Sequence, residues 1–431
     1  MPKLILYFPI KKAGSNLLFG LILVLLGNCA FLDLKKDIEP LTTASTLKGT
    51  VTRKIDRDTP IFVALYRDNP TEQATLVNYA VLYGSLKFEM LVEPGSYYLV
   101  AFEDLNEDLT LQKDEFVGWF GKPSLINIEA KKKYTDLNIR LVSPEQTKFA
   151  LPKLYKSNIQ HSQLTLDAVS LGEVVTQNDP RFSREIAGLG MWQPVKYFNE
   201  GNSGIFFLEP YDPNKIPVLF FHGLRGSGRD WFYLIENLDL EKFQPWIAQY
   251  PSGLRLDLLT RGFDNSLKEM KIRYNFNELV FVSHSMGGLL ARGLFNRKLE
   301  KNSPYEVTSL ITIATPWDGH SGAQDGIVQA PVVVPSWYDM APQSPYLEAL
   351  FKKQIPAQSG FHLLFTYRNS IGFFHPENSD GTVTLQSQLK REAQDQATQI
   401  IGYDENHVSV LRSDQVVQDI NLILSSLKNG S

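Results

Sequence analysis

The sequence predicts an α/β protein whose mostly parallel sheet carries helices on both faces and follows a small all-β sandwich domain. In the second half of the chain, apolar runs of the buried type recur, the first four about thirty residues apart with helical patterns between them. These runs occupy residues 218–221, 246–250, 279–282, 310–314, 363–367 and 398–403. That spacing is typical of βαβ units. Within residues 47–142, by contrast, short β-type runs alternate with turn residues and show no helical period, which favours a sandwich.

The overall charge argues against nucleic acid as a partner. The 431 residues include 43 Lys and Arg against 47 Asp and Glu, which gives a formal net charge of -4. Recognition of a phosphate backbone depends on a basic excess, and the composition has none. The only cysteine is Cys29, so an intramolecular disulfide is excluded and stability has to come from the hydrophobic cores.

The N-terminal residues have the pattern of an export signal. Three lysines within the first twelve residues precede an apolar run over residues 17–26, which is too short for an ordinary transmembrane helix. The run leads into Leu-Gly-Asn-Cys, which ends at Cys29 and resembles a bacterial lipobox, although that family usually has Gly, Ala or Ser at the place of Asn28. The resemblance implies lipid attachment at Cys29 and an exported protein anchored to a bacterial membrane, on the periplasmic or outer-membrane side. The alternatives are an unlipidated secreted protein and a simple N-terminal membrane anchor.

Changes in composition divide the chain into segments. We predict a signal peptide over residues 1–28, a flexible tether over 29–46, the sandwich over 47–142, a connecting segment over 143–203 and the α/β domain over 204–431. The α/β domain is expected to begin with an edge strand at residues 205–208. The long gap before the run at 363–367 indicates an insertion at about 320–360.

One apolar run leads directly into a serine flanked by small residues. The strand expected at 279–282 is followed by Ser283, Ser285 and Gly287, after which a helical pattern begins. This resembles the nucleophile elbow of α/β-hydrolases, G-x-S-x-G, with Ser283 in place of the first glycine. The resemblance implies that Ser285 is the nucleophile; an ordinary strand-to-helix loop containing serine is the alternative.

A serine hydroxyl needs a base, and the base needs an acid to fix its tautomer. In α/β-hydrolases the chain order is nucleophile, acid, histidine, and of the seven histidines His407 follows the last expected strand. Asp380, in a D-G-x-V segment similar to that of lipase-like members, is the predicted acid. Asp318 and Asp264 are the alternatives for the acid, and a solvated loop position is the alternative for His407.

The same resemblance implies two amide donors for a developing oxyanion. One is Met286, directly after the proposed nucleophile, and the other is Leu224, which follows the His222-Gly223 pair after the first long strand. His222 and Gly223 are expected to shape that loop. The resemblance to lipase-like α/β-hydrolases covers about residues 205–424 of the chain.

The insertion is rich in apolar and aromatic residues, and two interpretations are open. It contains Trp337, Tyr338, Met340, Leu347, Leu350 and Phe351. Such a segment fits a lid or the wall of an acyl pocket, and it fits equally well a helical cap packed on the body of the domain.

An acidic loop in the sandwich has the oxygen-ligand spacing of an EF-hand. The candidate calcium ligands are Asp104, Asn106, Asp108, Thr110 and Glu115. Leu109 stands where that motif has glycine, and no helices are expected around the loop. A solvated acidic turn is the alternative.

Together these features predict an exported, lipid-anchored serine hydrolase that cleaves carboxylic esters, with lipid or lipid-like esters as substrates, through an acyl-enzyme intermediate. No metal or organic cofactor is required for that chemistry. Two alternatives stay open: an acyltransferase on the same scaffold, and a surface lipoprotein that binds a partner without catalysis.

Overall fold

A computed structural model of the chain describes residues 30–55, 57–67, 75–121, 124–146, 169–368 and 378–427. The predicted signal peptide and Cys29 lie outside these ranges. In the described part of the chain, no helix has both the length and the apolar character needed to cross a bilayer.

The N-terminal strands form two sheets that pack face to face. Their bounds are β1 (Ser45–Thr52), β2 (Ile61–Tyr66), β3 (Leu76–Leu82), β4 (Lys87–Val92), β5 (Gly95–Glu103), β6 (Val117–Trp119), β7 (Ile126–Ile128), β8 (Lys133–Tyr134) and β9 (Ile139–Arg140). One sheet has the order β4-β1-β8, with β9 also pairing with β1; the other has the order β3-β2-β5-β6, with β7 pairing with β5. Alternate residues of the two sheets meet in a shared core, for example Leu47 of β1, Val63 of β2 and Leu99 of β5.

The rest of the chain is built on an eight-stranded sheet. Its strands are β10 (Ser170–Val174), β11 (Gly204–Phe207), β12 (Ile216–Phe221), β13 (Phe243–Gln249), β14 (Glu278–His284), β15 (Glu306–Ile313), β16 (Gly360–Thr366) and β17 (Gln399–Tyr403). The order is β10-β11-β13-β12-β14-β15-β16-β17, and every neighbouring pair is parallel except β11 and β13. The carboxyl ends of β12 and β14 to β17 therefore share one edge of the sheet.

Helices cover both faces of this sheet. The helical segments are α1 (30–37), α2 (Glu39–Thr43), α3 (Arg184–Trp192), α4 (Pro194–Asn199), α5 (Phe232–Glu236), α6 (Leu256–Tyr274), α7 (Met286–Lys301), α8 (Ser321–Gln329), α9 (Trp337–Met340), α10 (Pro345–Leu350), α11 (Leu385–Gln388), α12 (Arg391–Gln396) and α13 (Asp414–Ser425). In β14, Phe281 points into the core beneath α6 and α7, whereas Val280 and Val282 point into the core beneath α5 and α13. The predicted fold class, a mostly parallel α/β sheet with helices on both faces preceded by an all-β sandwich, is confirmed.

The sheet extends further than the sequence predicted. We expected residues 205–208 to form the edge strand, but β10 pairs with β11 on its outer side and forms the edge instead. An edge strand is buried only in part: Leu171 is buried, whereas the side chain of Val174 is exposed. Strand β10 therefore lacks the continuous apolar run that identified the inner strands, and it fell within the predicted connecting segment, 143–203.

The segment predicted as a flexible tether is helical and packed, so that prediction is wrong for residues 30–43. Leu34 of α1 is fully buried against Met191 and Val334. The carboxylate of Asp37 accepts the backbone amides of Val195 and Lys196 at 2.8 Å each, and these two amides lie in the first turn of α4. Contacts with residues far along the chain hold this segment in place, and its local composition gave no sign of them.

The sandwich and the α/β part meet along α6. The amide of Val81 in β3 donates to Oδ1 of Asn265 at 2.6 Å, and both residues are buried. The hydroxyl of Tyr79 donates to the Glu269 carboxylate. Two buried polar contacts therefore join the parts side by side.

Candidate active site

Ser285 lies at a sharp turn between β14 and α7. Its backbone has φ 54° and ψ -128°, a conformation that few non-glycine residues adopt. The Ser285 amide donates to the carbonyl of Ile313 at the end of the neighbouring strand, at 2.8 Å. The turn therefore places the serine side chain at the carboxyl edge of the sheet, directly before the first turn of a helix.

The small residues around the serine are required by close packing. A β-carbon added at Gly287 would lie 2.5 Å from the backbone oxygens of both Phe221 and His222. One added at Gly288 would lie 2.0 Å from Oγ1 of Thr315. Helix α7 thus passes against the end of β12 at a distance that only glycine allows.

Ser283, which replaces the first glycine of the motif, fits without strain. It is fully buried, and its hydroxyl donates to the carbonyl of Ile311 at 3.1 Å. The hydroxyl is therefore satisfied within the sheet, and the substitution leaves the turn intact.

The structure brings Ser285, His407 and Asp380 together in one hydrogen-bonded chain. Nδ1 of His407 lies 2.7 Å from Oδ2 of Asp380, and Nε2 lies 2.9 Å from the Ser285 hydroxyl oxygen. Because a carboxylate only accepts, Nδ1 of a neutral ring carries the proton and Nε2 is free to accept the serine proton. All three residues are buried, with 1% to 7% of their surfaces exposed.

Asp380 is held by several donors besides His407. Its Oδ1 accepts the amides of Thr382 at 3.0 Å and Val383 at 2.7 Å, and its Oδ2 accepts the Thr366 hydroxyl at 2.7 Å. Burial raises the pKa of Asp380, but the His407 ring and the other donors outweigh burial and hold the pKa below its ordinary value. The carboxylate is therefore ionised and fixed in orientation at neutral pH.

Neither alternative acid approaches His407. Asp318 forms an ion pair with Lys390 at 2.5 Å. Asp264 lies on α6, where it binds Lys268 and Arg297. Of the three candidate carboxylates, Asp380 alone bonds to the histidine.

A second histidine supports the first, and sequence reasoning did not identify this role. Nε2 of His284 donates to the backbone carbonyl of His407 at 2.7 Å, and the two rings are 4.7 Å apart. Burial lowers the pKa of His284 to about 3, and the neighbouring His407 adds to this effect. His284 is therefore neutral and holds the backbone of the residue that contacts Ser285.

The two predicted oxyanion donors are positioned as free amides near the serine. Met286 is the first residue of α7, so its amide has no acceptor inside the helix. Within the described part of the chain, the Leu224 amide has no acceptor either. A β-carbon added at Gly223 would lie 3.0 Å from Cβ of Ser285, so the Leu224 loop passes directly beside the nucleophile.

His222 shapes the same loop. Its ring stacks on Tyr250 with centroids 4.0 Å apart, and Nδ1 donates to the carbonyl of Gly223 at 2.8 Å. Burial lowers the pKa of His222 to about 4, so the ring stays neutral. Its contacts are structural, and it does not bond to Ser285.

The insertion at 320–360 consists of α8, α9, α10 and their connections. Met340, Leu347 and Leu350 are buried in the core beneath α6 and α7. Asp339 is fully buried, and its carboxylate binds Arg255 and the first amide of α6. These contacts agree with the cap interpretation for the inner side of the insertion, whereas Val328 and Tyr338 remain on its surface.

The structure does not assemble the predicted calcium ligands into a metal site. Asp104 is buried and accepts the amides of Asp108 and Leu109, while Glu115 accepts those of Leu105 and Gln112. Burial raises the pKa of Glu115 to about 7. Asn106 and Thr110 bond to Asp108.

In the ranges that the structure describes, no three His, Cys, Asp or Glu side chains are arranged to hold a metal ion. Backbone amides donate hydrogen bonds to the carboxylates of Asp104 and Glu115 in the loop with EF-hand spacing. Calcium binding there therefore stays a prediction without support from the geometry.

One family model matches part of the chain. Residues 255–392 match the model of a family described as "Alpha/beta hydrolase of unknown function (DUF915)". The match includes the Ser285 turn and Asp380 but ends before His407. No curated protein matches the chain.

Several solved structures resemble part of the chain. A lipase from Bacillus licheniformis has 18% identity and a TM-score of 0.41, with 51% of this chain and 97% of that chain covered. A monoacylglycerol lipase from Paleococcus ferrophilus has 11% identity and a TM-score of 0.35, with coverage of 50% and 95%. A phospholipase from Legionella pneumophila has 17% identity and a TM-score of 0.35, with coverage of 40% and 44%.

Proposed function

We propose that this α/β-hydrolase is a serine hydrolase that cleaves carboxylic esters through an acyl-enzyme intermediate. The observation that carries the proposal is the continuous hydrogen-bonded chain from the Ser285 hydroxyl through His407 to Asp380. A serine becomes a nucleophile at neutral pH when a positioned base removes its proton, and this arrangement supplies that base.

The geometry supports a two-step reaction. The Ser285 oxygen attacks the ester carbonyl while Nε2 of His407 takes its proton, and Asp380 stabilises the ring that has become positively charged. The carbonyl oxygen gains negative charge, which the free amides of Met286 and Leu224 can stabilise by donating hydrogen bonds to it. His407 then protonates the leaving alcohol. In the second step His407 activates water, which releases the acid and restores Ser285.

We further propose that the substrates are lipid or lipid-like esters and that the protein is anchored by lipid at Cys29. The support is the lipobox-like sequence ending at Cys29 and the apolar insertion next to the site. Bacterial lipobox cysteines receive acyl chains such as palmitate. Labelled palmitate should therefore be incorporated by the wild type and not by Cys29→Ala; equal incorporation by both would contradict the anchor.

A fluorophosphonate probe tests the nucleophile. The probe should label the wild type and fail to label Ser285→Ala, because only an activated serine reacts with it. Ser285→Ala should keep the far-ultraviolet circular dichroism spectrum of the wild type, which shows that the loss of labelling is not due to unfolding. Equal labelling of both proteins, or of neither, would contradict the proposed role of Ser285.

The choice of acid can be tested with a matched pair of variants. Asp380→Asn should lower kcat on a p-nitrophenyl ester about a thousandfold or more, because an amide in place of the carboxylate favours the wrong tautomer of His407. Asp318→Asn removes the competing carboxylate, which binds Lys390 instead, and should retain activity. A large loss of kcat in Asp318→Asn together with retained kcat in Asp380→Asn would identify Asp318 as the acid.

A further inference from the structure

A group of apolar and aromatic side chains lies on the surface where α1, α3 and the insertion meet. Leu32, Val328 and Tyr338 are 58%, 73% and 45% exposed. Together with three partly buried rings they form what we call the aromatic rim: Phe31, Leu32, Trp192, Val328, Trp337 and Tyr338.

Ring contacts join Phe31, Trp192 and Trp337, which belong to three separate parts of the chain. Phe31 of α1 packs edge-on against Trp192 of α3, with centroids 5.5 Å apart. Trp192 in turn packs edge-on against Trp337 of α9, at 6.3 Å. Helix α8, which carries Val328, packs on the same Trp337 ring, since a β-carbon added at Gly326 would lie 2.5 Å from it.

The rim is adjacent to the candidate active site. Leu224, whose amide is a predicted oxyanion donor, packs against the cluster of Leu34, Met191 and Val334 beneath the rim. The amide of Ser336, directly before α9, donates at 3.0 Å to the carbonyl of Gly253, in the loop after β13. Helices α1 and α9, which carry Leu32 and Tyr338, therefore pack beside the loops that surround Ser285.

Helix α1 connects the rim to the N-terminal part of the sequence. The described chain begins at residue 30, within the rim helix, and the 29 residues before it include the apolar run 17–26 and the lipobox-like Cys29. Contacts of Leu34 and Asp37 fix α1 to the body of the protein. An anchor at Cys29 would thus be one residue away from a rigid element at the rim.

We propose that the aromatic rim rests on a lipid bilayer, so that the active site opens onto the same leaflet that holds the N-terminus. Trp and Tyr are the residues that favour the interface between lipid and water, and exposed Leu and Val add apolar area that a bilayer can bury. This inference rests on the proposed function and narrows it: the substrates are esters of lipids within that leaflet. The active site reaches them without extraction of the lipid into water.

A fluorescent label at single cysteines tests the orientation. In the full chain, reconstituted in phosphatidylcholine vesicles, Val328→Cys and Leu32→Cys are labelled with an environment-sensitive fluorophore. The parent chain, whose only cysteine is Cys29, sets the background. Leu422→Cys is the matched control, because Leu422 is 67% exposed on α13, on the other face of the sheet.

Labels at positions 328 and 32 should shift to shorter wavelength and be quenched by spin-labelled lipid, whereas the label at 422 should not. Equal quenching at all positions, or at none, would overturn the proposal. Energy transfer between labels on two copies without quenching by lipid would overturn it as well, because the rim would then pair two copies of the chain.

A kinetic test separates this inference from the proposed function. Val328→Asp should lower the ratio of vesicle-lipid to soluble-ester hydrolysis about tenfold, because it removes an apolar contact with lipid, while Leu422→Asp should keep the ratio within about twofold. If the wild type cleaves a soluble ester and the ratio is unchanged in Val328→Asp, the inference fails. If the wild type cleaves no ester while the labels at 328 and 32 are quenched by lipid, the hydrolase proposal fails and the rim stands as a membrane surface.

Discussion

At the scale of single residues, the geometry of the site depends on glycines next to Ser285 where a larger residue would overlap its neighbours. Gly287 brings α7 against the backbone oxygens of Phe221 and His222, and the free amide of Met286 points from the same turn. The distance between helix and strand therefore fixes the position of Ser285 relative to the Leu224 loop.

Gly287→Ala should abolish labelling of Ser285 by a fluorophosphonate and destabilise the protein, because the added carbon would overlap two backbone oxygens at 2.5 Å. Gly188→Ala is the matched control. An added carbon at Gly188, within α3, meets no atom within 4 Å, and alanine should stabilise a helix there by about 0.5–1 kcal/mol. Wild-type labelling by Gly287→Ala would contradict the close packing described above.

Two buried neutral histidines predict sensitivity to acid. The pKa falls from 6.5 to about 4 for His222 and to about 3 for His284, because burial disfavours the charged ring. The unfolded chain binds these protons more readily than the folded one. The contribution of these histidines to the free energy of unfolding is therefore complete above pH 6.5. It decreases as the pH drops from 6.5 to about 4, where His222 begins to protonate in the folded state.

The variant His284→Gln isolates one of these contributions. Its amide can still donate to the His407 carbonyl, but it does not titrate. The acid slope of the unfolding free energy, measured by urea titration between pH 6 and 4, should be shallower by about 1.4 kcal/mol per pH unit. An unchanged slope would show that His284 is not buried neutral in the folded protein.

The sequence indicated Ser285, Asp380 and His407 because each follows a recognisable strand in a known order. It did not indicate His284 as a donor to His407 or Thr366 as a donor to Asp380, because each contact joins a residue at the end of a strand to a residue in a separate loop. The acidic loop at Asp104 shows a different limit of sequence reasoning. Its spacing matches a calcium motif, but spacing alone does not reveal that the Asp104 carboxylate accepts the backbone amides of Asp108 and Leu109.

At the scale of elements, a buried arginine joins the nucleophile helix to the insertion. Arg292 of α7 is fully buried and donates to the carbonyls of Leu350 and Lys353, at the end of α10 and just beyond it. Burial lowers the pKa of Arg292 to about 10, so it stays charged at neutral pH. The guanidinium thereby satisfies carbonyls at a helix end that the core would otherwise leave without donors.

Arg292→Met should destabilise the protein by about 3 kcal/mol, because buried carbonyls lose charged donors that methionine cannot replace. Limited proteolysis should then cut first within residues 345–360. Arg391→Met provides the control, since the side chain of Arg391 is 89% exposed. This substitution should change the free energy of unfolding by no more than about 0.5 kcal/mol. A stable Arg292→Met protein with wild-type resistance to protease would contradict this role.

Periodicity identified the inner strands and the long helices, since each buries a regular set of apolar residues. It missed β10 and α1 for opposite reasons. Strand β10 is an edge with little apolar area, and α1 is short, with a single fully buried residue, Leu34. Elements whose stability comes from one or two distant contacts leave almost no periodic signal.

At the scale of the whole molecule, the sandwich is tied to the α/β part by buried polar groups. Asn265 accepts the amide of Val81, and the Tyr79 hydroxyl donates to Glu269. Arg261 of α6 adds an ion pair with Glu89 of β4 at 2.8 Å. Separation of the two parts would leave each of these polar groups without its partner. The sandwich and the α/β part should therefore unfold together.

Asn265→Ala tests this connection. The buried amide of Val81 would lose its acceptor, and the free energy of unfolding should fall by about 1–3 kcal/mol. The exposed Asn214, which bonds only to Asp212 in a surface turn, supplies the control variant Asn214→Ala. Calorimetry should show one transition in the wild type, and two well-separated transitions there would contradict joint unfolding.

The docking of α1 has a consequence for the order of folding. The chain is synthesised from its N-terminus, yet Asp37 binds amides near residue 195 and Leu34 packs on Val334. Such high contact order means that α1 must wait for some three hundred later residues before all of its partners exist. Until then Leu34 and Trp192 of α3 are uncovered, and the nascent protein exposes an apolar surface that chaperones would have to shield. Helix α1 is thus among the last described elements to reach its final place.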